Sequence, residues 1–193
     1  MMVKICGITN IEDALAAIEC GAQALGFNFW PRSPRYIAPE AARALIARLP
    51  AGVCKVGVFV DEKPEVVTAT AREACLDVAQ LHGHETGGDF PQGLRVWKAV
   101  RIGAHFDREA LHQYPAEAVL LDGPANGVAF DWTVAAGIPR KVIVAGGLDA
   151  TNISKAIEQA RPWGVDACSR IERAPGRKDH SKMAKFLKAA LSA

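Results

Sequence analysis

Six positions along the chain carry groups suited to proton transfer or anion binding, and each follows a short apolar run. They supply a thiol, a guanidinium, an imidazole, a carboxylate, a pair of glycines and a serine next to an arginine. In chain order they are Cys6, Arg35, His82, Asp122, Gly146 with Gly147, and Ser169 with Arg170. The groups form one site only if the fold brings the ends of the preceding runs together.

The physical argument is strongest for Gly146, Gly147, Ser169 and Arg170, which follow the seventh and eighth apolar runs. Barrels of alternating strands and helices commonly bind a substrate phosphate with these two loops. Glycine lets bare backbone N–H groups approach an anion closely, and a serine adds a hydroxyl. Alternatively, the glycines only turn the chain toward the next helix. If they bind an anion, the substrate is a phosphorylated small molecule.

The elements that must position these residues are short β-rich runs that alternate with longer helical patterns. We predict strands at 3–6, 24–29, 54–60, 78–81, 96–100, 118–121, 141–145 and 165–168. Amphipathic helices are predicted at 39–49, 64–75, 151–161 and 181–191, with Asn10 opening an earlier helix and Gly21 following its end. Glycines interrupt the stretch between residues 81 and 94, so we expect a short or irregular connection there.

Eight such units favour a closed (β/α)8 TIM barrel, an α/β fold in which catalytic groups lie at the carboxyl ends of the strands. About 24 residues per unit is lean for this fold, so the loops must be short. A doubly wound open sheet is the alternative. Its glycine-rich phosphate fingerprint is missing, because only Gly7, Ile8 and Thr9 follow the first strand. We expect residues 1–193 to form a single domain.

The composition excludes several classes of function. The 193 residues are 50 % hydrophobic and carry a formal net charge of +2, too small to indicate binding to nucleic acid or to a membrane surface. Five cysteines without paired ligand spacing argue against a disulfide framework and a structural zinc site. We expect neither a signal segment nor a membrane-spanning one, because no stretch has the length and apolarity that these require. We expect a cytoplasmic protein with reduced thiols, no metal and no cofactor.

Motifs along essentially the whole chain resemble those of the phosphoribosylanthranilate isomerase family, and they occur in the expected order. They are KICGIT at 4–9, ALGF at 24–27, SPRY at 33–36, VGVF at 56–59, QLHG at 80–83, LD at 121–122, FDW at 130–132, AGGL at 145–148 with Asn152, GVD at 164–166 with Ser169 and Glu172, PG at 175–176, and KD at 178–179. One such motif would be weak support. So many in register make coincidence a poor explanation.

The resemblance implies an isomerase of tryptophan biosynthesis that converts phosphoribosylanthranilate by an Amadori rearrangement. It further implies that Asp122 is the general acid that opens the sugar ring and Cys6 the general base that takes the proton from the second sugar carbon. Strands one and six lie three strands apart, so these side chains would face one another across the barrel mouth. Without the motif, Cys6 is more simply an ordinary buried thiol. A base role requires a local cation, because a free thiol is mostly protonated at neutral pH.

The resemblance assigns Arg35 to the anthranilate carboxylate, which suits a guanidinium fork. The alternative for Arg35 is an ordinary surface arginine. His82 is expected near the substrate without a catalytic role, although a histidine there could simply bond to backbone. The remaining histidines, His84, His105, His112 and His180, are expected to be solvated.

Two further expectations concern the barrel interior and the phosphate loop. Period-two alternation places Lys4 on the inward side with Cys6, and a buried ammonium needs a partner, for which we predict Asp166 on the adjoining eighth strand. Asp166 could alternatively contact a substrate hydroxyl. Arg170 stands where the family usually has glycine, and Cys168 replaces a serine. We expect Arg170 to have negative φ and to lie along the rim, since a positive φ would strain it.

Two rival functions remain at this point. The histidine-pathway isomerase catalyses the same rearrangement but has a carboxylate where this chain has Cys6, so the sequence points away from it. A noncatalytic phosphate-binding barrel is the other rival, and the presence of both Cys6 and Asp122 argues against it. We expect a small-molecule phosphorylated substrate as the ligand, and a monomer in preference to a homodimer.

Overall fold

A computed structural model describes residues 1–103, 106–125 and 127–193 of the chain. Its main feature is a closed barrel of parallel strands in the order β1 to β8, with β8 pairing back to β1. The strands are β1 Met2–Cys6, β2 Ala24–Asn28, β3 Cys54–Phe59, β4 Val78–Leu81, β5 Arg95–Arg101, β6 Ala118–Asp122, β7 Lys141–Val144 and β8 Gly164–Ala167. The predicted (β/α)8 barrel is confirmed, and the open-sheet alternative is wrong because the sheet closes.

Helices cover the outside of the barrel on part of its circumference. In the described residues they are α1 Ile11–Glu19, α2 Pro39–Ile46, α3 Pro64–Glu73, α4 Ile153–Ala160 and α5 His180–Ser192. After β4, β5 and β6 the described residues form only short 3-10 turns, at Gly87–Asp89, Glu109–Gln113 and Trp132–Ala135. These turns explain how eight units fit into 193 residues. They also confirm the irregular connection predicted between residues 81 and 94.

A small antiparallel hairpin follows the barrel, formed by β9 Glu172–Ala174 and β10 Arg177–Lys178. It lies between β8 and α5 in the chain. The hairpin matters to the site because it supplies Glu172 and Lys178, two charged side chains that are buried.

Local signals account for the helix ends. Asn10 caps α1, since its Oδ1 accepts a hydrogen bond from the Asp13 N–H at 2.9 Å. Gly21 follows this helix with φ of +99°, a conformation that glycine adopts readily. Pro39 and Pro64 occupy the first turns of α2 and α3, where the missing N–H costs nothing. Asp179 caps α5 in the same way as Asn10 caps α1.

The apolar residues form two layers. One fills the barrel interior, and its buried members are Ala24, Val56, Val78, Trp97, Ala99, Ala118, Leu120, Ile143 and Ala145. The other lies between the strands and the helices and includes Phe27, Leu121, Val165 and Phe186, all fully buried. The alternation of strand side chains between these layers leaves the inward residues at the carboxyl ends free to line a site. In the described residues, no helix is long and apolar enough to cross a membrane.

Candidate active site

One pocket at the carboxyl ends of the strands brings the predicted site residues together. Its lining includes Cys6, Arg35, His82, Asp122, Gly146, Gly147, Ser169 and Arg170. The pocket also takes in Gln80 and Cys168, which prediction had not assigned to substrate or catalysis, and Asp166, for which a substrate hydroxyl was the alternative partner. Cys6 is the last residue of β1 and Asp122 the last of β6, so both lie at the rim of the barrel.

Asp122 is held by two contacts. Its Oδ1 accepts a hydrogen bond from the Gly123 N–H at 2.9 Å, and its Oδ2 lies 3.2 Å from His82 Nε2. Gln80 Nε2 lies 3.2 Å from His82 Nδ1 on the other side of the ring. The imidazole ring is thus held between Gln80 and Asp122. His82 therefore contacts the carboxylate directly and does more than bond to backbone.

Lys4 and Asp166 form the buried ion pair that the strand alternation predicts. Lys4 Nζ lies 2.8 Å from Asp166 Oδ2, and the lysine is fully buried. Burial raises the pKa of the Asp166 carboxyl to about 7, and the attraction of Lys4 limits this rise. Burial opposes the charge of Lys4, but the neighbouring Asp166 and Cys6 outweigh it and raise the pKa of the ammonium. A cation therefore lies inside the barrel beneath the mouth.

The surroundings of Cys6 favour its anionic form. The pKa of its thiol lies well below the usual value, first because Cys168 hydrogen-bonds to it and then because Lys4 and Lys178 attract the negative charge. Burial acts in the opposite direction and is outweighed. The local cation that a base role requires of Cys6 is present.

Arg35 already holds a carboxylate within the protein. Its Nε lies 3.0 Å from Glu172 Oε1, and its Nη2 lies 2.7 Å from Glu172 Oε2. Lys178 Nζ reaches the same Glu172 Oε1 at 2.8 Å. Arg35 is therefore not an ordinary surface arginine, because Glu172 of the hairpin binds one edge of its guanidinium. Prediction missed this partner, which lies 137 residues away in the chain.

The glycines after β7 are required by the backbone and by packing. Gly146 has φ of +79° and Gly147 of +64°. A Cβ on Gly146 would lie 2.3 Å from the Gly123 backbone nitrogen, and one on Gly147 would lie 2.7 Å from the Gly127 carbonyl oxygen. The turn interpretation of these glycines is therefore sound. It does not conflict with anion binding, since the same conformation exposes backbone N–H groups.

Ser169 and Arg170 begin a 3-10 turn, Ser169–Ile171, directly after β8. Arg170 is not among the described residues with positive φ, so the expected unstrained conformation is confirmed. Its side chain is half exposed, and Nη1 lies 3.9 Å from Asp149 Oδ2. The guanidinium lies along the rim, as expected.

A buried clamp that the sequence patterns did not reveal holds the loop carrying His82. Lys98 Nζ lies 2.8 Å from Glu85 Oε2 and donates to the Gly83 carbonyl at 2.8 Å. Glu85 in turn accepts hydrogen bonds from the backbone N–H groups of Gly83 and Asp61. A charged residue inside the apolar strand β5 was the available signal.

Of the histidines expected to be solvated, His84, His112 and His180 have side chains at least half exposed. His105 lies outside the described residues.

A comparison with protein-family models decides the family. Residues 3–189 match the model described as N-(5'phosphoribosyl)anthranilate (PRA) isomerase. The chain belongs to the phosphoribosylanthranilate isomerase family. Membership rests on nearly the full length of the chain, and it agrees with the resemblance drawn from the motifs.

Relatives agree in sequence and in structure. An N-(5'-phosphoribosyl)anthranilate isomerase of Solibacter usitatus is 55 % identical, over 100 % of this chain and 98 % of its own. A crystal structure of a phosphoribosyl anthranilate isomerase with reduced 1-(o-carboxyphenylamino)-1-deoxyribulose 5-phosphate is 40 % identical, with a TM-score of 0.91 and full coverage of both chains. Monomers generated from the dimeric enzyme of Thermotoga maritima match with the same identity, TM-score and coverage.

Proposed function

We propose that this pocket carries out the family's isomerisation with Cys6 as the general base and Asp122 as the general acid. The reaction converts N-(5'-phosphoribosyl)anthranilate to 1-(2-carboxyphenylamino)-1-deoxyribulose 5-phosphate, a step of tryptophan biosynthesis. The observation that carries the assignment is the environment of Cys6, a thiol whose pKa is lowered, in one pocket with Asp122. A base and an acid on opposite sides of a substrate are the two groups that this rearrangement needs.

The chemistry proceeds in two proton transfers and a tautomerisation. Asp122 gives its proton to the furanose ring oxygen, the bond from that oxygen to C1 breaks, and the sugar opens to a Schiff base. The Cys6 thiolate then removes the proton from C2, which gives an enolamine. In the tautomerisation to the ketone, Cys6 returns its proton to the sugar at C1, and Asp122 takes the proton of the C2 hydroxyl. Both protein groups therefore recover their starting protonation states.

His82 supports the acid in this scheme. Its Nε2 lies 3.2 Å from Asp122 Oδ2, close enough to exchange a proton with the carboxyl or to hold its orientation. We assign His82 to the neighbourhood of the substrate and leave the acid role with Asp122, which ends β6 and whose other oxygen is fixed by Gly123.

The two charged ends of the substrate have different partners in the pocket. We assign the anthranilate carboxylate to Arg35, whose guanidinium Glu172 fixes at one edge. We assign the phosphate to the backbone N–H groups of Gly146, Gly147, Ser169 and Arg170, at the loops that barrels commonly use for phosphate. The solved relative that holds reduced 1-(o-carboxyphenylamino)-1-deoxyribulose 5-phosphate supports a ligand that carries both a carboxylate and a phosphate. Competitive inhibition by inorganic phosphate is the direct check of the second assignment.

The test of the catalytic pair is turnover of freshly made phosphoribosylanthranilate, followed by loss of the substrate's fluorescence. Cys6→Ser and Asp122→Asn should each lower kcat by at least about a hundredfold, as expected for loss of a general acid or base. Cys54→Ser is the matched control, because Cys54 is a partly buried thiol at the amino end of β3. Circular dichroism should show that all three variants fold.

Near-native turnover by either variant would remove that residue from the catalytic pair. A wild-type chain that binds phosphate but turns over no substrate would instead support the noncatalytic phosphate-binding barrel. These two results are distinct, since the first concerns one residue and the second the whole pocket.

We further propose that the protein acts in the cytoplasm as a monomer and as one domain spanning residues 1–193. All five cysteines are free, which suits a reducing compartment and can be checked by cell fractionation. Among the described residues, the exposed large apolar side chains Leu15, Val66 and Val128 stand apart, whereas Trp30 with Tyr36, and Met1 with Leu191, form two small groups. This division into small separate groups favours a monomer. Sedimentation velocity at micromolar concentration should give the mass of one chain, and twice that mass would contradict the proposal.

A further inference from the structure

Glu172 of β9 joins two cations, Arg35 of the loop after β2 and Lys178 of β10. Its Oε2 accepts a hydrogen bond from Arg35 Nη2 at 2.7 Å, and its Oε1 accepts one from Arg35 Nε at 3.0 Å and one from Lys178 Nζ at 2.8 Å. The Gly176 N–H and the Cys168 S–H also donate to Oε1, at 3.2 Å and 3.9 Å. With donors on both oxygens, the carboxylate is held in its charged form.

The contacts with Glu172 use only one edge of the Arg35 guanidinium. Nε and Nη2 face the carboxylate, whereas Nη1 has no hydrogen-bond partner in the part of the chain that the structure describes. The stem of Arg35 passes over Gly7, where a Cβ would lie 2.7 Å from Arg35 Cδ, and the arginine lines the pocket. Because a guanidinium is a planar fork, the end that carries Nη1 can bind a further carboxylate.

Lys178 is the second cation, and it lies behind the pocket. Its side chain is fully buried, and it is not among the described residues that line the pocket. Apart from Glu172, its ammonium contacts the Cys168 carbonyl at 3.5 Å and the Cys168 sulfur at 3.8 Å. Its backbone N–H donates to Asp13 Oδ2 at 2.8 Å, which fixes β10 against α1. A buried ammonium needs a charged partner, and for Lys178 this partner is Glu172.

Arg35, Glu172 and Lys178 together form a cluster of two cations and one carboxylate, with one net positive charge. Without the ammonium, Arg35 and Glu172 would be a neutral pair. A ligand carboxylate that reached Arg35 would then meet the negative charge of Glu172 across the same guanidinium. Such repulsion is only weakly screened between groups that are largely buried. Lys178 therefore supplies a charge that a carboxylate in the pocket needs, although it does not face that carboxylate.

We propose that Lys178 is a positioning residue that makes the pocket selective for a carboxylate: it neutralises Glu172 and so leaves the charge of Arg35 available to one carboxylate of the ligand. The inference rests on the proposed binding of the substrate carboxylate by Arg35. It goes further than that assignment, because a residue outside the pocket lining sets the preference.

Variants of the two buried partners separate charge balance from packing. Lys178→Met keeps the length of the side chain and makes the cluster neutral. Glu172→Gln leaves two positive charges, and the double variant returns the cluster to one, while the amide oxygen of glutamine can still accept an Arg35 N–H. Lys141→Met is the matched control, because Lys141 pairs with Glu117 at 3.0 Å at the opposite end of the barrel.

The experiment measures the binding of two stable ligands that differ only in the carboxylate. The first is reduced 1-(o-carboxyphenylamino)-1-deoxyribulose 5-phosphate, and the second is the same compound made from aniline. Isothermal titration calorimetry at one pH gives the ratio of their dissociation constants for each protein. For the wild type we expect the carboxylate ligand to bind about ten- to a hundredfold more tightly, as for a hydrogen bond between charged groups. Lys178→Met should lower this preference by about tenfold.

Charge balance predicts an order of preferences that loss of packing would not give. Glu172→Gln should keep the preference at or above the wild-type value, the double variant should restore it toward that value, and Lys141→Met should leave it unchanged. If circular dichroism shows that Lys178→Met does not fold, the step from Glu172→Gln to the double variant should show the same loss of about tenfold.

Two results would overturn the inference. One is an unchanged preference when Lys178 is replaced in either background, and the other is a double variant with no more preference than Lys178→Met. A wild-type preference near one would instead refute Arg35 as the carboxylate site and remove the inference with it. The wild-type measurement therefore distinguishes failure of the proposed function from failure of the role of Lys178.

Discussion

Cys6 and Cys54 show how strongly surroundings decide the chemistry of one residue type. Both are partly buried thiols on barrel strands. Burial raises the pKa of Cys54, helped by the negative charge of Asp77. At Cys6, the hydrogen bond from Cys168 and the nearby lysines outweigh burial and lower the pKa. A thiol on the inward face near Lys4 therefore becomes a candidate base, whereas one at the opposite end of the barrel remains a protonated packing residue.

Arg170 allows a sharp prediction at the residue scale. Because its backbone lies in a 3-10 turn without positive φ, Arg170→Gly relieves no strain and leaves the N–H in place for phosphate. The lost guanidinium is half exposed and so contributes a solvent-screened attraction. We expect kcat/KM to change by less than about tenfold, mostly through KM, with an effect that shrinks as salt is raised.

Steady-state kinetics at low and high salt check this expectation, and inorganic phosphate inhibition gives the accompanying binding readout. Arg173→Gly is a suitable control, since this exposed arginine lies in the following hairpin outside the pocket lining. A gain of much more than tenfold on introducing glycine at position 170 would mean that Arg170 damages the phosphate site. It would also revive the view of the chain as an impaired member of its family.

At the scale of elements, the strands could be predicted closely because each is a buried apolar run with turn residues on both sides. The predicted strand at 78–81 matches β4, and the other predicted strand bounds lie within about one residue of those observed. Three of the four predicted helix ends lie too far along the chain, whereas α5 runs to Ser192, one residue past its predicted end at 191. The segment predicted at 64–75 ends as a helix at Glu73, because Cys75 adopts φ of +57° and turns the chain toward β4. From the sequence, an apolar residue in the turn that follows a helix cannot be distinguished from an apolar residue inside the helix.

The site shows the same division between what the sequence can and cannot reveal. Lys4 and Asp166 could be paired in advance because alternation fixes the face of each strand and closure makes β1 and β8 neighbours. Glu172 as the partner of Arg35 could not, since no strand register links the loop after β2 with the hairpin. The contact of Lys98 with Glu85 was hidden for the same reason. Strand register makes side-chain contacts within a sheet predictable, whereas contacts between loops depend on tertiary packing.

At the scale of the whole molecule, buried and bridging carboxylates make stability depend on pH in two opposite directions. Hydrogen bonds from Arg95 and Lys141 lower the pKa of Glu117 to about 2, and the pKa of Glu172 is also lowered, although burial opposes it. Such groups stabilise the fold above their unfolded pKa, near 4.5 for glutamate, and lose that contribution as the pH falls through the folded value. Asp166 has the opposite sign, because burial raises its pKa to about 7.

For Asp166 the stabilising form is the protonated one. Its contribution is fully present below the unfolded pKa of 3.8 and is lost as the pH rises through about 7. Asp166→Asn removes this titration, so the variant should lose stability relative to the wild type as the pH is lowered from about 8 to about 4. Urea unfolding followed by tryptophan fluorescence measures the difference, and one cooperative transition is expected for a single domain.

Glu117→Gln gives the complementary prediction, because Glu117 bridges Arg95 of β5 and Lys141 of β7 at the opposite end of the barrel from the pocket. Its arginine and lysine partners are about half exposed, so the loss at neutral pH should be no more than about 1 kcal/mol. That loss should shrink as the pH falls toward about 2, where the wild-type carboxyl takes up its proton. The deficits of the two variants must therefore move in opposite directions on acidification. If both deficits changed in the same direction, overall expansion of the protein in acid, and not the titration of these two carboxyls, would control the stability differences.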